Sequence, residues 1–122
     1  MSTVLLVEDE LLVRELCLED LTDAGFEVTA ANDGDEALAI LRQGRTFDLL
    51  FTDIRMPGMT DGWELARVAK EILPGLKVIY ATGMGETDYE FPITEAYVRK
   101  PYTLKELRKA LDNLGFQFAT VN

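Results

Sequence analysis

Histidine is missing from this chain altogether. That removes imidazole as a general acid or base, as a metal ligand and as an internal carrier of a phosphoryl group. Cysteine occurs once, at Cys17, so no disulfide framework forms within the chain. No apolar run approaches the ~20 residues of a membrane-spanning helix, and the N-terminus opens strand-like rather than with a basic-then-apolar leader. A cytoplasmic domain is expected. Cations are scarce too: 12 Lys and Arg face 22 Asp and Glu, a net charge of −10. That balance argues against nucleic acid or an anionic membrane as a partner.

What remains is a chain of 122 residues, 48% apolar and 28% charged, enough for one domain with its own core. The core is expected over about residues 3–115, with 116–122 as a short tail. The organising stretch is Asp48-Leu-Leu-Phe-Thr-Asp53-Ile-Arg-Met-Pro57-Gly58. A short apolar run halts at a carboxylate and a Pro-Gly turn follows, the signature of a core strand in a parallel sheet.

The flanking pattern repeats this unit. Thr3–Val7 is apolar and ends in Glu8-Asp9-Glu10, with Glu10 read as a helix cap. Val13, Leu16, Cys17, Leu21 and Ala24 then recur at helical spacing, which makes Cys17 a small core residue. Phe26, Val28 and Ala30 alternate with polar residues as an edge strand does. Asn32 to Glu36 supplies caps for a helix that buries Ala37, Leu38 and Leu41. Thr60 or Asp61 caps a third helix along Leu65, Val68, Ala69 and Ile72, and Leu76–Ala81 forms a fourth strand.

From Thr82 to Pro92 the helical pattern falters, and a shortened or irregular helix is expected there. Ala96-Tyr97-Val98 is a fifth strand. Thr103-x-x-Glu106 caps a last helix with Leu104, Leu107, Leu111 and Leu114 inward. Five alternations of strand and helix make an α/β fold, a doubly wound five-stranded parallel sheet of flavodoxin-like order 2-1-3-4-5. That order brings Glu8, Asp9 and Asp53 together at the carboxyl ends of neighbouring strands. Carboxylates so crowded need a raised pKa, a cationic side chain or a metal, and an oxygen-only set favours Mg²⁺ or Mn²⁺. Lys100 and Thr82 close the same rim.

In these residues the chain resembles the receiver domain of two-component response regulators, from about Thr3 to Gly115. The matching pieces are Glu8-Asp9, Asp53-Ile-Arg-Met-Pro57, Thr82 with a small residue after it, Tyr97, and Lys100-Pro101. The resemblance implies that Asp53 is the phosphoryl acceptor and that Glu8, Asp9, Asp53 and the Arg55 backbone carbonyl hold Mg²⁺. It also implies that Lys100 pairs with a phosphoryl oxygen, and that Thr82 and Tyr97 switch the strand-four to strand-five surface. The donor would be a histidine kinase or histidine phosphotransfer protein, with a downstream protein as a further partner.

Three departures from the family pattern stand out. Glu8 replaces an aspartate, one residue is added between Met59 and Asp61-Gly62, and the Thr82–Tyr97 segment is short. Tyr80-Ala-Thr-Gly83 is similar to the motif of a Phe-Ala-Thr-Gly-x-Tyr offshoot. On phosphorylation, residues 83–95 are expected to become ordered. The rival readings are a degenerate receiver that docks without phosphorylation and a phosphohydrolase of the haloacid dehalogenase type. The latter needs a second Asp two residues after the nucleophile, where Arg55 stands.

Overall fold

The computed structural model describes residues 2–83 and 92–116. Among them five strands and four helices follow in the order β1 (Thr3–Val7), α1 (Leu11–Asp23), β2 (Glu27–Ala31), α2 (Gly34–Arg42), β3 (Leu49–Asp53), α3 (Gly62–Ile72), β4 (Lys77–Thr82), β5 (Glu95–Arg99) and α4 (Leu104–Asn113). The strands form one sheet in the order β2-β1-β3-β4-β5, every pair parallel. The expected helix between β4 and β5 falls largely on residues 84–91, outside the described residues, as does most of the segment expected to order on phosphorylation.

Successive strand residues point to opposite sheet faces, so a strand covered on both sides is apolar throughout. β1 and β3 show this. Val4, Leu6, Leu49 and Phe51 pack on one face with Cys17 and Leu21 of α1 and Leu107 and Leu111 of α4. Leu5, Val7 and Leu50 pack on the other with Ala37 and Leu41 of α2 and Leu65 and Ala69 of α3. The two cores together hold the sheet between pairs of helices. Register then aligns the strand ends: Val7 sits across from Thr52, Asp53 from Ala81, and Thr82 from Arg99.

The helix starts largely follow the sequence. Asp33 accepts from the Glu36 amide at 2.8 Å, and Asp61 from that of Glu64 at 2.9 Å, which decides between Thr60 and Asp61. Thr103 and Glu106 form a reciprocal capping box. Glu10 occupies the α1 cap position but its side chain makes no capping bond. The apolar stripes are narrower than expected. Leu16 is 65% exposed, and Leu18 packs on the core instead. Both lie about 100° from Cys17 around the helix, and α1 is rolled toward β2. Ile72 and Leu104, at helix ends, are exposed, and in β2 Ala31 rather than Ala30 is buried.

One glycine fixes how closely α3 approaches β3. A Cβ on Gly62 would lie 2.1 Å from the Asp53 carbonyl oxygen and 2.7 Å from Ile54 Cα, both backbone atoms that cannot swing away. The Gly62 amide donates to the Ile54 carbonyl at 2.7 Å, closing the base of the loop after Asp53. Gly62→Ala is therefore expected to lower stability in urea by about 1–3 kcal/mol. Gly75→Ala, where no atom lies within 4 Å, should be neutral or slightly stabilising; equal losses at both positions would contradict this packing.

Candidate functional site

Four strand ends or the turns after them surround a cleft of about 530 Å³, lined among others by Glu8, Asp9, Asp53, Arg55, Thr82 and Lys100. Each arrives by a traceable route. Glu8 follows β1 directly, and its amide donates to the Ala31 carbonyl at 3.2 Å. Asp53 is the last residue of β3, and the neighbouring Thr52 hydroxyl donates to its carbonyl at 2.8 Å. Lys100 follows β5, and its amide donates to the Thr82 carbonyl at 2.7 Å, so pairing with β4 holds the lysine at the rim.

The side chains then meet. Lys100 Nζ donates to Glu8 Oε1 at 2.8 Å and also pairs with Asp53 Oδ1. The other Glu8 oxygen accepts the Glu10 amide at 3.1 Å. Glu8 and Asp53 are 4% and 6% exposed, whereas Asp9 is exposed. One carboxylate oxygen from each of the three lies within 4.8 Å of the others. Thr82 is buried, and Tyr97 is 40% exposed on β5, across from Tyr80 in register. The sequence-derived residues thus converge, except that Tyr97 faces outward, away from the cleft lining.

Electrostatics follows from burial and crowding. Burial, then the hydrogen-bonded Glu8 carboxyl, pushes Asp53 up to about 7, with Lys100 opposing. Burial also acts to raise Glu8, but hydrogen bonds from the Asp53 carboxyl, Lys100 and the Glu10 amide outweigh it and leave Glu8 below its usual range. Burial acts to lower Lys100, and its bonds to Asp53 and Glu8 overcome that and raise it. One ammonium thus faces two buried carboxylates and a third nearby, so the site holds surplus negative charge.

The all-oxygen donor set, its close spacing and that surplus suit a hard dication. Glu8, Asp9 and Asp53 fit a magnesium ion on these grounds, with Arg55 lining the same cleft.

Sequence reasoning missed two supports. Arg14 reaches back along α1 to donate to the Glu8 carbonyl at 2.9 Å, the direction in which helical side chains lean. Its only signal in the sequence was a cation one turn into the helix after the acidic run. Thr52 gave none, because a strand threonine inside an apolar run reads as packing. Cys17, by contrast, behaves as its stripe implies. It is 3% exposed, accepts from the Tyr102 hydroxyl at 3.0 Å, and burial pushes its thiol up to about 12.

Asp53 titrates near 7 in the folded chain and near 3.8 as a free side chain. Between those values the folded state keeps a proton that the unfolded chain has released, so the site costs stability as pH rises. The cost is absent below about pH 4 and complete above about pH 7. In metal-free buffer, Asp53→Asn should therefore exceed wild type in stability by on the order of 2 kcal/mol at about pH 8. The gain should shrink toward about pH 4; a gain independent of pH, or a loss, would contradict a strained carboxylate.

Comparison with known proteins bears on the same residues. The family model "Response regulator receiver domain" matches residues 4–112. The response regulator receiver protein CpdR of Brucella abortus is 36% identical over 118 residues, covering 93% of this chain and 97% of that one. The crystal structure of a response regulator receiver protein from Sinorhizobium medicae superposes with a TM-score of 0.85 at 36% identity, covering 93% of each chain. The response regulator TrrA of Thermotoga maritima, solved in complex with Mg(2+)-BeF, gives 0.80 at 31% identity, covering 93% of this chain and 99% of that one. With its strand order, its acidic rim and a family match over nearly its whole length, this chain belongs to the receiver domains of two-component response regulators.

Proposed function

We propose that the chain accepts a phosphoryl group on Asp53 from the phosphohistidine of a partner kinase or phosphotransfer protein, on the cytoplasmic side, and reports it through the β4–β5 surface. The observation that carries this reading is the position of Asp53: buried at the end of β3, paired with Lys100 and set among the oxygens of Glu8 and Asp9. In the transfer, the bond from phosphorus to the donor imidazole nitrogen breaks as one to an Asp53 carboxylate oxygen forms. The departing imidazole takes up a proton from solvent. Asp53 attacks in its ionised form, and Lys100, released from Asp53, pairs with a phosphoryl oxygen.

Glu8, Asp9, Asp53 and the Arg55 backbone carbonyl would hold Mg²⁺. When bound it supplies positive charge that offsets repulsion between the acidic rim and the incoming phosphoryl group. These 122 residues hold no histidine, so the donor histidine lies outside this domain.

Phosphorylation replaces one negative charge by nearly two and adds acceptor oxygens. The Thr82 hydroxyl, on the last residue of β4, turns to one of them. Tyr97, half a strand away and outward-facing, then moves inward. The result is a two-state surface biased by a local charge.

The test is incubation with acetyl phosphate, read by intact mass. Wild type with Mg²⁺ should gain the mass of one phosphoryl group, and both Asp53→Asn and wild type with chelator should gain none. An unmodified wild type, or a modified Asp53→Asn, would overturn the assignment. The docking reading predicts instead that Asp53→Asn leaves partner binding unchanged.

A further inference from the structure

Thr60, between Met59 and Asp61-Gly62, is held by an anchor of its own. Thr60 is 7% exposed, and its hydroxyl donates to Asp35 Oδ1 at 2.7 Å. The Met59 amide donates to Asp35 Oδ2 at 3.3 Å. One carboxylate in the first turn of α2 therefore grips two successive residues of the loop that leaves Asp53. These two bonds, that from Thr60 first, hold the Asp35 carboxyl below its usual range.

The backbone is shaped to the same contact. Gly58 has φ +98°, and a Cβ there would lie 2.9 Å from Asp35 Oδ2; a Cβ on Gly34 would lie 2.5 Å from the Thr60 carbonyl oxygen. At its base the loop is closed by the Gly62–Ile54 bond at 2.7 Å. Arg55 lies between these two attachments. Neither Asp35 nor Thr60 lines the acidic cleft, whereas Ile54 and Arg55 do.

We propose that the Asp35–Thr60 clamp fixes the loop carrying Arg55, and so sets how strongly the acidic site prefers Mg²⁺ to a larger cation. This rests on the reading of the cleft as a magnesium site. Mg²⁺ demands near-ideal octahedral geometry at short distances, whereas Ca²⁺ accepts longer and less regular contacts. A loop free to shift by a few tenths of an ångström costs the smaller ion more. Without an anchor the loop would have that freedom; Thr60 supplies the hydroxyl that removes it. Asp35 and Thr60 act as positioning residues and touch neither ion nor phosphoryl group.

The experiment is calorimetric titration of the folded chain with Mg²⁺ and, separately, with Ca²⁺, alongside melting temperatures without metal. Thr60→Val keeps shape and charge and removes the donor. It should weaken Mg²⁺ binding roughly tenfold, the low end for residues that orient metal ligands, and Ca²⁺ binding distinctly less. Thr60→Ser should restore the wild-type ratio.

Asp35→Ala changes an exposed side chain, so it decides the matter if Thr60→Val does not fold. Its lost charge weakens both ions alike, and a changed Mg²⁺-to-Ca²⁺ ratio is the result expected. Wild-type Mg²⁺ affinity in a folded variant, equal losses for both ions, or a lower melting temperature with unchanged binding would each overturn the clamp. A wild-type chain that binds no Mg²⁺ would instead overturn the proposed function itself.

Discussion

One ammonium shared by two buried carboxylates is the interaction on which the site depends. Lys100 comes from the residue after β5, Glu8 from the residue after β1 and Asp53 from the end of β3. Only the 2-1-3-4-5 order with aligned registers brings them together. Without the lysine, two largely dehydrated like charges would face each other, a situation that proteins relieve by proton uptake or a counter-ion. With it, the pair is compensated in part, and surplus charge remains on the side where Asp9 stands in solvent. The fold thus creates a deficit of positive charge at one place and leaves it open.

The rest of the structure packs closely beneath that place. Below the rim, two apolar layers fix β1, β3 and β4, and Arg14 and Thr52 pin the backbone carbonyls of Glu8 and Asp53. Gly62 lets α3 close on the end of β3. Opposite these, Thr82 is buried at the rim while Tyr97 stands partly in solvent on the edge strand. The proposed change of charge at Asp53 would thus act between this packed floor and the β4–β5 rim.

Most of this was legible in the sequence, for physical reasons that vary by residue. Strands read clearly because β1, β3 and β4 are buried on both faces, and the acidic positions at the ends of β1 and β3 break those runs sharply. The cap at Thr103 follows from side-chain chemistry alone, whereas that chemistry only narrowed the others to Asn32–Glu36 and to Thr60 or Asp61, of which the structure uses Asp33 and Asp61. Periodicity chose Leu16 for the α1 stripe, but Leu18, on the other side of Cys17, is the one that packs on the core. Nor could it foresee that Thr60 would reach Asp35, 25 residues away in sequence, or that Glu10 would hold a cap position without capping. Such pairings exist only once the layers have packed.

The central claim is that the folded acidic rim has a place for a divalent cation that the unfolded chain lacks. A ligand bound by the native state alone raises its stability with concentration. The most direct measurement is the urea midpoint of wild type and of an Asp9→Asn, Asp53→Asn double variant as Mg²⁺ is raised at constant ionic strength. Wild type should climb steadily while the double variant stays level. A wild-type midpoint indifferent to magnesium, or equal gains in both proteins, would contradict the account.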